Sequence, residues 1–195
     1  MSKMYFAENP DASHDIHELR VELLGEKMTF LTDAGVFSKK MIDYGSRVLL
    51  STLDFGKGET LLDVGCGYGT LGLTLAKAQT LKVTLVDINQ RALDLTRKNA
   101  VANQVSAEIF QSNVYENVTG KFQHIISNPP IRAGKKVVHE VISGSYNHLL
   151  DDGDLTIVIQ KKQGAPSAKA KMEEVFGNCE TLKKDKGYYI LRSVK

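Results

Sequence analysis

The stretch Leu61-Leu62-Asp63-Val64-Gly65-Cys66-Gly67-Tyr68-Gly69-Thr70-Leu71-Gly72-Leu73 decides how the rest of the chain is read. Leu61, Leu62 and Val64 form a short apolar run, the pattern of a strand buried on both faces. Three glycines then alternate with other residues, and a helical pattern opens behind them. Glycine tolerates positive φ and carries no Cβ, so a ligand can approach the backbone closely. The helix that follows points its unpaired N–H groups back toward the turn. The combination suits a nucleotide-like ligand, with a tight turn holding no ligand as the bland alternative.

Two glycine patterns overlap here. Gly67, Gly69 and Gly72 fit the dinucleotide pattern G-x-G-x-x-G. Gly65, Gly67 and Gly69 fit the G-x-G-x-G turn of S-adenosylmethionine enzymes. Asp63, just ahead of the turn, favours the second, because a carboxylate attracts a cationic methionine moiety and repels a pyrophosphate.

Working outward, 195 residues point to one domain over 1–195, with 1–35 as an added β cap. A hydrophobic fraction of 42% and a charged fraction of 25% are ordinary for a globular protein. No apolar run approaches a membrane span and no signal-peptide pattern opens the chain, so a cytoplasmic location is expected. Cys66 and Cys179 make neither a disulfide framework nor a zinc site, and both are expected as reduced, buried thiols. His14 and His17 lack a third ligand, so no metal is assigned. Net charge is only +2, but residues 161–195 carry nine Lys/Arg against four Asp/Glu. Such an end can attract phosphates, although charge alone favours a solvated face.

Along the chain, His17 to Leu24 and Met28 to Leu31 read as a β-hairpin. A helix is expected from Lys39 to Leu53 with Ser38 as its N-cap. Phe37, just before it, either closes over the ligand or packs in the core. The glycine turn opens a helix to Gln79. Lys82 to Asp87 is a strand with Val83 to Val86 at its centre, ending in an acid 20 residues after Gly67. In α/β nucleotide folds a carboxylate at that place accepts bonds from ribose hydroxyls. Asn89 is available to cap the next helix, Gln90 to Asn103, which leaves Asp87 free. Ala107–Gln111 and Phe122–Ser127 are strands, Lys135–Leu150 a helix, Asp151–Asp154 a turn and Leu155–Ile159 a strand. Ser167–Phe176 is a helix, and two strands around Lys183–Gly187 close the chain. This alternation predicts a mostly parallel sheet with helices on both faces. Gly65, Asp87, Asn113 and Asn128 all fall at carboxyl ends of strands, where such sheets bind ligands.

Asn128-Pro129-Pro130-Ile131 follows the fourth of these strands. Two consecutive prolines fix φ and remove two backbone donors. Acceptors are left: the Asn128 side-chain oxygen and nearby carbonyls. Such a rim can grip an –NH2 group by both hydrogens and localise its conjugated lone pair toward an electrophile. In line with an activated methyl, that positioning supplies much of the rate with no strong base. Alone, Asn-Pro-Pro reads as a rigid loop. After this strand, beside the glycine turn and Asp87, it points to amino-group methyl transfer.

The sequence resembles the class I S-adenosylmethionine-dependent methyltransferases. More narrowly, it is similar to the small-subunit ribosomal RNA guanine-N2 methyltransferases and their single-domain relatives. The likeness rests on Gly35–Ser38, the Asp63–Gly72 turn, Ser112-Asn113-Val114 and Ile126–Gly134, with Gln160–Ala165 similar to the single-domain relatives. It covers roughly residues 35 to 195. It implies a Rossmann-like, seven-stranded, mostly parallel sheet with the last strand antiparallel, S-adenosyl-L-methionine as cofactor and RNA as partner. Cofactor contacts would then come from Asp63, Gly65, Cys66, Gly67, Asp87, Ile88, Asn113, Val114 and Phe37. Asn113 stands where many such enzymes place an Asp on the adenine amino group, and can accept that bond through its amide oxygen. Asn128, Pro129, Pro130 and Ile131 would form the catalytic segment, Ile131 offering an apolar face where many relatives offer an aromatic one. Arg132, Lys135 and Lys136 would reach phosphates beside a flipped-out nucleotide of ribosomal RNA or a ribosomal particle. A protein glutamine or a small molecule as acceptor, and an assembly factor without turnover, are the competing readings. An NAD-dependent oxidoreductase comes last, for want of a hydride-transfer acid or base.

Overall fold

The computed structural model describes residues 13–130 and 134–195. Ile131 and Arg132 lie outside the described residues. A two-stranded antiparallel hairpin, β1 (His17–Leu23) and β2 (Glu26–Thr32), precedes α1 (Tyr44–Leu50). The sheet is then laid down by alternation: β3 (Thr60–Val64), α2 (Thr70–Gln79), β4 (Lys82–Asp87), α3 (Gln90–Ala102), β5 (Ala107–Gln111) and β6 (Phe122–Ser127). α4 (Lys135–His148), β7 (Leu149–Gln160), α5 (Ala165–Phe176), β8 (Glu180–Asp185) and β9 (Tyr188–Val194) complete it. The seven strands stand in the order β5-β4-β3-β6-β7-β9-β8. β3 to β7 are parallel, and β9 runs antiparallel to both of its neighbours. This is the Rossmann-like arrangement expected from the sequence.

Strand alternation divides the core between the two faces of the sheet. Leu61, Val83, Leu85 and Ile126 face the layer of α1, α2 and α3, while Leu62, Val64, Val86 and Ile125 face that of α4 and α5. Leu61, Leu62, Leu85, Val86, Ile125 and Ile126 are each 0% exposed. Full burial of such a side chain is worth about 1.5–3 kcal/mol, so these strands form the rigid base from which the loops project.

The hairpin is fixed to the body by two asparagines one helical turn apart. Asn99 Oδ1 accepts from the Leu31 N–H (2.7 Å), and Asn103 Oδ1 accepts from the Thr29 N–H (2.9 Å). Asn99 Nδ2 donates to the carbonyls of Leu31 (3.0 Å) and Tyr68 (2.8 Å). The amides serve β2 as a neighbouring strand would, and Met28 and Phe30 are buried beneath it.

Several boundaries differ from the sequence expectation. The first helix begins at Tyr44, not Lys39, and its N-cap is Asp43, whose carboxylate accepts from the Ser46 N–H (3.0 Å). Ser38 has φ 55°, outside the extended region an N-cap occupies, and its Oγ donates to the Met41 carbonyl. Asp151–Asp154 lies within β7, where a register shift opposite Phe122 and His124 takes up the irregularity. α5 starts at Ala165 with a proline in its first turn. Cys179 is half-buried rather than buried, and both thiols are free. Among the described residues, no helix is long and apolar enough to cross a membrane.

Candidate active site

A cavity of about 640 Å³ opens over the carboxyl ends of β3, β4, β5 and β6. Its floor is the turn between β3 and α2. Gly65 and Gly67 have φ of 73° and 58°, and a Cβ on either would meet nothing within 4 Å. The backbone therefore meets the cavity bare, the cradle expected for a ligand lying along it.

The hydrogen bonds of this turn restrict which ligand fits. The N–H groups of Gly65 and Cys66 both donate to the Val86 carbonyl (2.9 and 3.0 Å). The Gly67 N–H donates to Asp87 Oδ2 (2.8 Å). Donors that a pyrophosphate would recruit are thus spent inside the protein, and a carboxylate sits beside them. The floor suits a ligand without phosphates. Thr96 of α3 braces the turn, its Oγ donating to the Gly67 carbonyl (2.8 Å).

Asp87 ends β4 and lines the cavity. Its other oxygen accepts from the Asn89 N–H (2.9 Å). Burial raises its pKa to about 6, against the hydrogen bonds from Asn89 and Gly67. Asn89 caps α3 by accepting from the Ala92 N–H (3.2 Å) and donates to the Gly35 carbonyl (3.0 Å). It thereby draws the segment with Val36, Phe37 and Ser38 over the cavity as a roof. Ile88, Asn113 and Val114 complete this half, Val114 holding φ 52°, a strained conformation for a β-branched residue.

Asp63 is placed otherwise than expected. The sequence reading puts its carboxylate against the ligand, but Asp63 is 0% exposed and is absent from the cavity lining. It shares the sheet face of Leu61, under α2, where Oδ2 accepts from the Gly72 N–H (2.9 Å). Its other oxygen has no hydrogen-bond partner among the described residues. Burial raises its pKa to about 7, opposed by the Gly72 bond and assisted by Asp87. Cys66 does line the cavity, with its thiol pKa pushed up by burial.

The opposite half is built around Asn128. β6 lies beside β3, and the Ser127 Oγ donates to the Val64 carbonyl (2.7 Å), so Asn128 and Gly65 share one cavity. Asn128 Nδ2 donates to Asp43 Oδ2 (3.1 Å) and to Ser46 Oγ (3.0 Å). A carboxylate can only accept, so this pairing settles which end of the amide faces Asp43. Oδ1 is left as the acceptor that Asn128 offers a ligand. Pro129 and Pro130 line the same wall without a backbone donor. Lys135 and Lys136 are exposed at the start of α4 and do not line the cavity.

Asp43, Ser46, Gln160, Gln163 and Tyr188 also line the cavity, and sequence reasoning assigned none of them to the site. Asp43 stands 85 residues before Asn128, a separation no local pattern spans. Its one legible signal was its own capping chemistry, credited to Ser38 instead.

The methyltransferase small domain family model matches residues 27–192. The chain is 44% identical over 200 aligned residues to the uncharacterized protein YbxB of Bacillus subtilis (strain 168), with both chains covered in full. It is 37% identical over 177 residues to ribosomal RNA small subunit methyltransferase C of Erwinia tasmaniensis, covering 88% of this chain and 51% of that one. Among solved structures, the T. thermophilus 16S rRNA N2 methyltransferase RsmC, in complex with AdoMet and guanosine, superposes with a TM-score of 0.85 at 28% identity. That match covers 95% of this chain and 52% of the other. The chain thus spans about half the length of the ribosomal RNA methyltransferases it matches.

Proposed function

The chain belongs to the methyltransferase small domain family, and from that premise we propose that it transfers a methyl group from S-adenosyl-L-methionine to ribosomal RNA, at the exocyclic N2 of a guanine. Gly65, Cys66 and Gly67 hold the cofactor along the turn, Asp87 and Ile88 meet its ribose, and Asn113 and Val114 its adenine, under the Phe37 roof. When bound, the cofactor supplies an electrophilic methyl on a sulfonium centre. The bare glycine backbone and the internally spent donors of the turn support a phosphate-free nucleoside ligand there. Asp63 acts through the scaffold, by anchoring α2 under that turn.

On the acceptor side, Asn128 Oδ1 and the Pro129 carbonyl accept the two amino hydrogens. Held so, the nitrogen lone pair turns out of conjugation with the ring and toward the methyl. Pro129 and Pro130 keep competing donors away, and Ile131 gives the base an apolar face. Arg132, Lys135 and Lys136 meet neighbouring phosphates. The observation that carries the proposal is the Asn128 amide, turned by Asp43 and Ser46 in the cavity that Gly65 and Gly67 floor.

The test is label transfer from methyl-labelled cofactor to an unmodified small-subunit ribosomal RNA transcript, with the product nucleoside identified by mass spectrometry. We expect N2-methylguanosine, and we expect Asn128→Ala to abolish transfer while calorimetry records unchanged cofactor binding. Undiminished turnover in Asn128→Ala removes Asn128 from the mechanism. Label appearing in protein, with none in RNA, replaces guanine by a glutamine amide as the acceptor.

A further inference from the structure

The basic C-terminal end has a definite place in the fold. Lys161 and Lys162 form the turn that follows β7, between Gln160 and Gln163, which both line the cavity. The Lys161 N–H donates to the Gly187 carbonyl (2.8 Å), seating the tip of the β8–β9 hairpin, with Lys184 and Lys186, against that turn. Lys186 Nζ lies 4.8 Å from the centroid of the Tyr44 ring, and Tyr44 packs on Tyr188 at 5.7 Å. Tyr188 lines the cavity, and Tyr44 follows Asp43, which orients Asn128. On the other flank, a hydrogen bond between His139 and Ser167 (3.0 Å) ties the second turn of α4 to the first turn of α5. Val137 of α4, Gln160 and Gln163 beside the turn and Tyr188 of the hairpin all line the cavity together with Asn128, so these three segments border its acceptor side.

Six lysines have carboxylate partners among the described residues: Lys39, Lys77, Lys136, Lys169, Lys171 and Lys195. Lys169 and Lys171 on α5 pair with Glu173 and Glu174. Among the described residues, Lys161, Lys162, Lys184 and Lys186 make no ion pair, although Asp185 sits in the same hairpin. Lys161 and Lys162 are neighbours in the turn, and in the hairpin seated against it Lys184 lies over Tyr189 and Lys186 over Tyr44, so the two segments carry positive charge without carboxylate partners, which favours an anionic partner. A base whose amino group enters this cavity must be unstacked, and its strand then carries one phosphate per nucleotide past the mouth. Aromatic rings beside a cationic track are the pairing that single strands use.

We propose that the turn at 161–163 and the tip of the β8–β9 hairpin form a docking surface for the single-stranded RNA flanking the methylated nucleotide. The inference rests on the RNA reading of the site and extends it to residues outside the cavity. The four lysines bind phosphate, and Tyr188 forms the wall along which the strand enters.

The experiment compares the wild-type chain with a variant carrying Lys161→Gln, Lys162→Gln, Lys184→Gln and Lys186→Gln together. A second variant, Lys169→Gln with Lys171→Gln, serves as control. The probe is the unmodified small-subunit ribosomal RNA transcript with labelled cofactor. We expect the quadruple variant to raise KM for RNA by about tenfold or more, and to flatten the slope of log affinity against log salt by about 3, at ~0.7 per single-strand contact. The larger part of its loss falls in KM rather than kcat. Cofactor affinity stays at the wild-type value, which also reports an intact fold, and the control variant follows wild type throughout. A wild-type chain that methylates the transcript beside a quadruple variant with unaltered KM and salt slope overturns the docking surface alone. A wild-type chain that binds cofactor but labels only protein overturns the RNA reading and the docking surface together.

Discussion

Asp43→Ala separates the orientation of Asn128 from its presence. In the wild-type chain the Asp43 carboxylate accepts from the Asn128 amide at 3.1 Å and from the Ser46 N–H at 3.0 Å. Two consequences follow from removing it. The N-cap of α1 is lost, at about 1 kcal/mol, which for a chain of this length lowers Tm by about 2–4 °C. The amide also loses its charge-assisted partner, a bond worth about 1.5–3 kcal/mol, and only Ser46 Oγ then favours the productive orientation. If that energy appears in the barrier, kcat falls by about 10- to 100-fold. Cofactor affinity, set at the far end of the cavity, should change by less than about twofold. Asp43→Asn keeps an oxygen for the cap and for the amide, and recovers most of the turnover. The assay is steady-state methyl transfer at saturating cofactor, with calorimetry for cofactor binding and thermal melts for the cap. A double-mutant cycle with Asn128→Ala should be strongly non-additive, because both changes act on one contact. Full kcat in Asp43→Ala at a lowered Tm would refute the reasoning, leaving Asp43 as a helix cap and nothing more.

Two further outcomes are expected. The first concerns pH. Asp63 has a folded pKa of about 7 against an ordinary value of 3.8, so between those limits the native chain holds a proton that the unfolded chain has released. Its contribution is fully present below pH 3.8 and is lost as pH rises through about 7, a change of order 4 kcal/mol at 1.36 kcal/mol per pKa unit. Asp63→Asn retains an acceptor for the Gly72 N–H, so denaturant unfolding at pH 5 and pH 8 should show its stability falling less than that of the cofactor-free wild type. Parallel curves would contradict this. The second is Asn99→Ala, which strands the Leu31 N–H and the Tyr68 carbonyl. With about 1–3 kcal/mol for each buried group left without a partner, unfolding should be easier by several kcal/mol, and cofactor affinity should fall with it. Weakened folding with fully retained affinity at low temperature would limit Asn99 to the hairpin.

What the sequence disclosed depended on how local each signal was. The β3–turn–α2 unit is written in thirteen consecutive residues, and Asp87 follows at a spacing set by one helix and one strand, so both were legible. Asn128 was legible through its prolines. The Asp43–Asn128 contact was not, because it joins segments 85 residues apart that meet only when β6 is laid beside β3. The start of α1 was misread because Ser38 and Asp43 are both good caps by composition, and the positive φ at Ser38 is a tertiary outcome. The position of Asp63 was open to a stricter reading. Strand alternation puts it on the face of Leu61, beneath α2, and therefore away from a ligand above the turn.

The shared amide of Asn99 has a consequence for how the front of the chain can vary. One side chain fastens the hairpin edge at Leu31 and, through Tyr68, the loop that floors the cavity. Trimming residues before β2, or splicing a different module onto them, therefore tugs on the cofactor pocket unless β2 itself keeps its register. Fusions and truncations that cut into Glu26–Thr32 should be felt 68 residues away in sequence, at the helix that carries Asn99.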